Sequence, residues 1–153
     1  MMSKKNTRFL QQTMFKEIEH TADRGIEVSG NSIADLFKNA LFGMYSLALF
    51  LPEPLPEGQV KVELKEMTLE DLLVSFLSEF NFRLYYKHEY CCEINKLDIR
   101  KIKNYYCLEL TGTYTTLNEA ALSGMEEIKS VTYHQMQISN KNGTYRTKII
   151  FDT

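Results

Sequence analysis

The feature that most constrains the fold is an amphipathic segment that runs from Ser32 to Ala48 and stops at a cluster of prolines. Its apolar residues recur at the spacing that places them on one face of a helix. Asn31 or Ser32 can cap the start by accepting a backbone N–H, and Asp35 suits the positive end of the helix dipole. All three prolines of the chain lie within LPEPLPEG at positions 51–58, where a helix cannot continue. We therefore predict a helix that buries one face.

A second amphipathic segment begins near Thr68 and has its own apolar stripe, and most of the remaining chain alternates between apolar and polar residues. The predicted strands cover residues 14–19, 26–29, 60–64, 89–99, 104–114, 131–138 and 144–152, with turns at 100–103 and 140–143. The order of these elements, β-β-α-β-α-β-β-β-β, predicts an α+β fold in which two amphipathic helices cover a mainly antiparallel sheet.

Length and composition set the domain organisation and exclude several classes of protein. The 153 residues correspond to about one domain. We predict a flexible N-terminal extension over residues 1–13 and a single domain over 14–153, because polar termini are usually the least ordered segments. The net charge of −2 disfavours a protein that binds nucleic acid mainly by neutralising phosphates.

Cysteine usage and hydropathy predict a cytoplasmic protein with no membrane segment. The three cysteines include no CxxC pair, so neither a disulfide framework nor a zinc site is indicated. Free thiols fit a reducing compartment. The longest apolar stretch, residues 40–51, is about a dozen residues long, whereas a membrane span needs about 20. The polar N-terminus lacks the apolar run of a secretory signal.

Motifs for nucleophilic or phosphate chemistry are absent from the sequence. No G-x-S-x-G elbow, GxGxxG loop or P-loop occurs, and the three histidines, His20, His88 and His134, share no metal-ligand spacing. A basic cluster at residues 96–103 is interpreted as a solvated hairpin tip, with contact to RNA as the less favoured alternative. The sequence therefore offers little beyond carboxylate chemistry.

The remaining candidates are oxygen donors at two distant positions. Asp23 lies in a glycine-terminated turn between two predicted strands, and Asp152 and Thr153 end the last strand. Carboxylate and backbone oxygens from strand ends suit Mg²⁺, Ca²⁺ or Mn²⁺ better than a soft metal. The alternative, which spacing alone favours, is that Asp23 caps its own turn and Asp152 is a solvated terminus.

Four segments in a fixed order resemble the archease family. They are HTADRGI at 20–26, DLLVSFLSEF at 71–80, EIKSVTYHQMQI at 127–138 and IIFDT at 149–153. The resemblance extends over roughly residues 14–153. It implies a strand-helix-strand-strand module with a second, inserted unit of the same type.

The resemblance also implies a function that is not catalytic in itself. Members of the family act as accessory activators of the RtcB-type RNA ligase in tRNA splicing, where they promote guanylylation of the ligase and multiple turnover. The ligase uses GTP and divalent metal. The implied partner is therefore this ligase, with indirect contact to tRNA.

Carried over by position, the resemblance implies a metal site made of Asp23, Asp152 and the backbone oxygen of Thr153, with Ca²⁺, Mg²⁺ or Mn²⁺ as its ion. Further candidates at matching polar positions are His20, Glu79, Lys129 and His134.

The sequence departs from the family pattern at Arg24, Tyr145 and Thr153. Arg24 matters most, because a cation adjacent to Asp23 is expected to compete for its carboxylate and weaken metal binding. The side chain of Thr153 should matter little, since its contribution is a backbone oxygen.

Two other functions stay open at the level of sequence. One is a chaperone-like factor for RNA-processing or tRNA-modifying enzymes, which would need exposed apolar surface and would suppress aggregation without GTP or metal. The other is a metal-dependent hydrolase that uses Asp23 and Asp152, with His20 as the general base.

Overall fold

The computed structural model describes residues 14–19 and 23–153, so the extension predicted at residues 1–13 lies outside the described part. The elements in chain order are β1 (Phe15–Glu19), β2 (Arg24–Gly30), α1 (Ile33–Ala48), β3 (Gly58–Glu66), α2 (Leu69–Tyr86), β4 (Glu89–Ile102), β5 (Tyr105–Thr116), α3 (Glu119–Ser123), β6 (Ser130–Thr132), β7 (Ser139–Lys141) and β8 (Thr144–Asp152). The predicted α+β class is confirmed, because every strand pair is antiparallel. Among the helices described, none is long and apolar enough to cross a membrane.

The chain divides into two compact units. The first contains the described residues up to Ala48 together with Ile128–Thr153, and the second contains Leu49–Glu127. The sheet of the first unit has the order β1-β2-β8-β6, and β7 also pairs with β8. The sheet of the second unit has the order β3-β5-β4.

Both units use the same arrangement of elements. In the second unit, a strand (β3), a helix (α2) and two strands (β4 and β5) follow one another, and the last strand pairs with the first. The first unit repeats this order with β2, α1, β6 and β8, and again the last strand pairs with the first. The predicted module with an inserted second unit of the same type is therefore confirmed.

Helix α1 covers one face of the first unit's sheet. The hydroxyl of Ser32 accepts the N–H of Asp35 at 3.0 Å, as the sequence predicts for one of its two candidate caps. A β-carbon added to Gly43 would lie 2.6 Å from Cδ1 of Ile26, so the absence of a side chain lets the helix approach the sheet closely. The fully buried side chains of this core include Leu36, Phe37, Leu41, Met44, Tyr45, Ile26, Ile149 and Phe151.

The second unit is built in the same way around α2. Thr68 accepts the N–H of Asp71 at 3.0 Å and so caps the helix where the sequence predicts its start. The fully buried large side chains of this helix are Leu72, Leu73, Phe76, Leu77, Phe80 and Leu84.

The prediction of a strand over residues 131–138 is wrong. The chain leaves the sheet after Thr132, turns with a hydrogen bond from Met136 N to Tyr133 O at 3.0 Å, and pairs again only at Ser139. Gln135 has a φ of 59°, which extended backbone does not allow. His134 therefore lies in a turn and not within a strand.

Two smaller features also differ from the sequence prediction. The turn between β4 and β5 is shorter than residues 100–103, because β4 continues to Ile102 and a positive φ of 57° at Lys103 makes the reversal. Helix α3 is not predicted by the sequence, and the side chain of Asn118 caps it. The hairpin turn before β8 is confirmed, with positive φ angles at Asn142 and Gly143.

Candidate metal site

The pairing of β2 with β8 determines where the two candidate aspartates lie. Arg24 is paired with Phe151 and Gly25 with Ile150 in an antiparallel register. One further step of this register brings Asp23 opposite Asp152. The two residues, which are far apart in sequence, therefore stand at the same end of neighbouring strands.

This end of the sheet is accessible to solvent. Asp152 and Thr153 are exposed, and Asp23 is half-buried. The backbone carbonyl of Asp152 accepts the N–H of Lys129 at 2.8 Å, and Asp152 is paired with Ser130 of β6. The main chain around Asp152 is therefore held from both sides, by β2 and by β6.

Some of the other predicted site residues lie near the end of the sheet where Asp152 stands, and others do not. Lys129 is adjacent to it through the hydrogen bond to Asp152. His134 lies in the turn beyond β6, and its backbone N–H donates to Oγ1 of Thr132 at 3.3 Å. Since Thr132 is paired with Ile150, the chain at this point runs away from Asp152. His20 lies outside the described residues.

Glu79 belongs to the second unit, where it has a structural role. Its Oε1 accepts a hydrogen bond from Nε of Arg83 at 3.0 Å, one turn further along α2. Arg83 also contacts Glu89 at 3.5 Å, so Glu79 is part of an ion-pair network between α2 and the start of β4.

Arg24 has contacts that sequence reasoning did not anticipate. Its Nε donates to Oε1 of Glu17 at 3.0 Å, and its Nη1 donates to the carbonyl of Leu47 at 3.1 Å. These contacts anchor the start of β2 to β1 and to the last turn of α1. No local motif encodes these contacts, because they depend on how β1 and α1 lie against the start of β2. Competition between Arg24 and a metal for Asp23 stays a prediction.

The thiols of the second unit are poor candidates for catalysis. Burial, with a smaller contribution from neighbouring Cys92, raises the pKa of Cys91 to about 12. Burial also raises the pKa of Cys92. Both groups are therefore protonated near neutral pH, and a protonated thiol is a weak nucleophile.

The chemistry of the donors fits a hard divalent cation. The groups at the β2–β8 end are two carboxylates and the backbone oxygen of Thr153, all of which are oxygen ligands of the kind that Ca²⁺, Mg²⁺ and Mn²⁺ prefer. Over residues 14–19 and 23–153, no three His, Cys, Asp or Glu side chains are grouped to hold a metal. A cation here would accordingly rely on two side chains, with backbone and water oxygens completing its shell.

Fold and site together define a class: a two-unit α+β protein of repeated strand-helix-strand-strand modules, with paired aspartates at the end of one sheet. Comparison with known proteins gives the family. The sequence model of the Archease protein family matches residues 15–153. The chain therefore belongs to the archease family.

Individual relatives agree with this result. The chain is 31% identical over 124 residues to the protein archease of Thermococcus kodakarensis, covering 81% of this chain and 87% of that protein. It is 24% identical over 142 residues to the protein archease of Methanosarcina mazei, covering 93% and 97%.

Two solved structures share the fold. The solution structure of a Methanobacterium thermoautotrophicum protein matches with a TM-score of 0.77 at 23% identity, covering 92% of this chain and 99% of that one. The crystal structure of an archease from Thermotoga maritima, described as a possible chaperone, matches with a TM-score of 0.53 at 23% identity, covering 90% and 96%.

Proposed function

We propose that this protein is an accessory activator of an RtcB-type RNA ligase in tRNA splicing, and that it promotes guanylylation and multiple turnover of the ligase through a divalent cation held by Asp23 and Asp152. Membership of the archease family supports an accessory role. In this proposal the protein is not itself an enzyme.

The observation that carries the proposal is the register of β2 against β8. It pairs Arg24 with Phe151, so its extension by one residue brings Asp23 opposite Asp152 at a solvent-accessible end of the first sheet. Two carboxylates within one turn would only reflect local sequence, whereas two that meet through strand pairing depend on the fold. Their exposure also matters, because a protein that acts on a partner's active site must present its donors at the surface.

Each residue at this end has a distinct part in the proposal. Asp23 and Asp152 bind the cation, and the N–H of Lys129 fixes the main chain of Asp152 by holding its carbonyl. Arg24 holds the start of β2 through Glu17 and Leu47, which keeps Asp23 in place. The bound cation would supply charge neutralisation for a triphosphate and orientation for the departing pyrophosphate. Stimulation further requires that the protein bind preferentially to the guanylylation-ready state of the ligase.

The test is a single-turnover guanylylation assay with purified ligase and radiolabelled GTP. Wild-type protein should increase covalent GMP on the ligase, and Asp23→Asn and Asp152→Asn should each abolish the increase. Asp98→Asn is the matched control, because Asp98 belongs to the second unit and pairs there with Lys96 and Arg100. Circular dichroism should show that all variants are folded. Undiminished stimulation by the Asp23 and Asp152 variants would reject the proposal.

A chaperone-like role is the second candidate, and exposed apolar side chains in the second unit favour it. Leu55, Met67 and Tyr86 have exposed fractions of 74%, 64% and 78%. Suppression of the aggregation of a tRNA methyltransferase without GTP or metal, together with unchanged guanylylation, would support this role over the first.

A further inference from the structure

A second charged feature lies on the sheet of the first unit, away from the paired aspartates. Arg146 and Lys148 are exposed on β8, whereas Thr147 and Ile149 between and beyond them are buried. The two cations therefore point from the sheet face opposite to α1. The register extends this row across the sheet, since Lys148 is paired with Glu27 and Glu27 with Lys16.

These residues form part of the wall of a surface cavity of about 560 Å³. The turn after β6 closes one side of it with Gln135 and Gln137, and Ser139 of β7 lies beside them. This volume is within the range of about 300–1,000 Å³ that is typical of ligand clefts. The cavity thus combines cations from the sheet with amide and hydroxyl groups from the adjoining segment.

The charges in the cavity are not balanced. Lys16 contacts Glu27 at 3.6 Å. Arg146 and Lys148 form no ion pair in the part of the chain that the structure describes, although Lys148 lies opposite Glu27 in the strand register. Three cations therefore face one carboxylate.

The basic cluster at residues 96–103 differs from the cluster of cations in the cavity. There Lys96 contacts Asp98 and Glu109 at 3.5 and 3.6 Å, and Arg100 contacts Asp98 at 3.6 Å. Acidic neighbours thus offset the charge of two of the four basic residues of this hairpin tip, Lys96 and Arg100. Unlike that hairpin tip, the cluster in the cavity is assembled by the pairing of β1, β2 and β8.

We propose that the cavity binds the sugar–phosphate backbone of single-stranded RNA. The planar guanidinium of Arg146 can bind a phosphate with two hydrogen bonds, and Lys148 adds a point charge beside it. Gln135, Gln137 and Ser139 provide hydrogen bonds for phosphate or 2′-hydroxyl oxygens.

The lining favours a strand backbone over a single nucleotide. Phe15 is the one aromatic residue among the described residues that line the cavity, and its ring lies close to Gly43 of α1, on the other face of the sheet. No aromatic platform is therefore available to stack a base. This inference is independent of the proposed ligase activation, because it uses neither Asp23 and Asp152 nor a bound metal ion.

The experiment is fluorescence anisotropy with the full chain and a labelled twelve-residue oligouridylate at 50 mM salt. Arg146→Gln combined with Lys148→Gln should weaken binding about ten-fold and reduce the slope of log affinity against log salt by about 1.4, or about 0.7 for each lost phosphate contact. Lys96→Gln combined with Arg100→Gln is the matched control, since it removes the same charge from exposed side chains elsewhere. It should change the affinity by less than about two-fold.

Several results would overturn the proposal. The first two are undetectable binding of the RNA by the wild-type protein and equal loss of RNA affinity in the two double variants. The others are equal affinity of the wild type for the corresponding oligothymidylate DNA, and displacement of the RNA by GTP at an equal concentration of phosphate. Thermal unfolding followed by circular dichroism should give the same Tm for both double variants and the wild type. The single variant Lys148→Gln should give an intermediate affinity.

Discussion

Asp23 and Asp152 show what individual residues can and cannot indicate before the fold is known. Their side-chain chemistry suits a hard cation, but spacing alone favours two unrelated solvated carboxylates. The register of β2 and β8 pairs Arg24 with Phe151, which are the residues next to Asp23 and Asp152, so the two aspartates lie at the same end of neighbouring strands. Register depends on the pairing of distant segments, so it cannot be read from either local sequence.

At Gly30, a single methyl group should test the packing between β2 and α1. A β-carbon there would lie 2.4 Å from the backbone nitrogen of Leu36, which cannot move without distorting the helix. Gly30→Ala should lower the free energy of unfolding by about 1–3 kcal/mol, measured by urea denaturation. Gly124→Ala is the control, because its nearest neighbour would be 3.7 Å away. Equal stability of the two variants would contradict this packing.

The buried thiol of Cys91 should make stability depend on alkaline pH. Its pKa is about 12 in the folded chain, against an ordinary value of 9.0. Between these pH values the unfolded chain loses the proton while the folded chain keeps it, so the free energy of unfolding falls as pH rises. The thiol's contribution is fully present below pH 9 and should decline by up to about 4 kcal/mol by pH 12.

The measurement for this residue is urea denaturation of wild type and Cys91→Ala at pH 8, 9.5 and 11. The stability of the wild type should decline with pH more steeply than that of the variant, since the variant has no thiol to titrate. If the free energy of unfolding declined equally with pH in both proteins, burial would not raise the pKa of Cys91.

At the scale of elements, helices are predicted more accurately than the last strands. The two long helices depend on local signals, an apolar stripe and a capping hydroxyl, and both begin where those signals occur. The segment 131–138 fails because β6 and β7 both pair with β8 while the chain between them turns away. The sequence of this segment does not indicate that its two ends, β6 and β7, both pair with the same strand, β8.

The cap of α2 provides a test at this scale. Thr68→Ala removes the hydroxyl that accepts the N–H of Asp71 and should lower the free energy of unfolding by about 1 kcal/mol. Thr68→Ser keeps the acceptor and should stay close to the wild type. Urea denaturation of both variants checks this, and equal destabilisation by Ala and Ser would argue against capping.

At the scale of the whole molecule, the same strand-helix-strand-strand order occurs twice, although the sequence contains no visible repeat. Family resemblance predicts this architecture, but pattern alone predicts a single sheet covered by two helices. The structure instead has two sheets. Strand β8 pairs with β2, and the segment inserted between them in the sequence forms a sheet of its own. Two of the basic residues that lie together in the sequence, Lys96 and Arg100, are paired with acids in the structure.

The contiguous second unit should fold without the first. Residues 49–127 contain the complete β3-β5-β4 sheet and the buried face of α2. We expect this fragment to unfold cooperatively on heating when followed by circular dichroism. Residues 1–48 alone should not, because β8, the partner of β2, lies outside that fragment. Non-cooperative melting of the 49–127 fragment would contradict its independence.

Binding of Mn²⁺ followed by electron paramagnetic resonance tests whether Asp23 and Asp152 share one cation. We expect one equivalent of Mn²⁺ for the wild type, a loss of affinity of at least about ten-fold for Asp23→Asn and for Asp152→Asn, and an unchanged affinity for Asp98→Asn. Mn²⁺ affinity that is the same in all four proteins would contradict it.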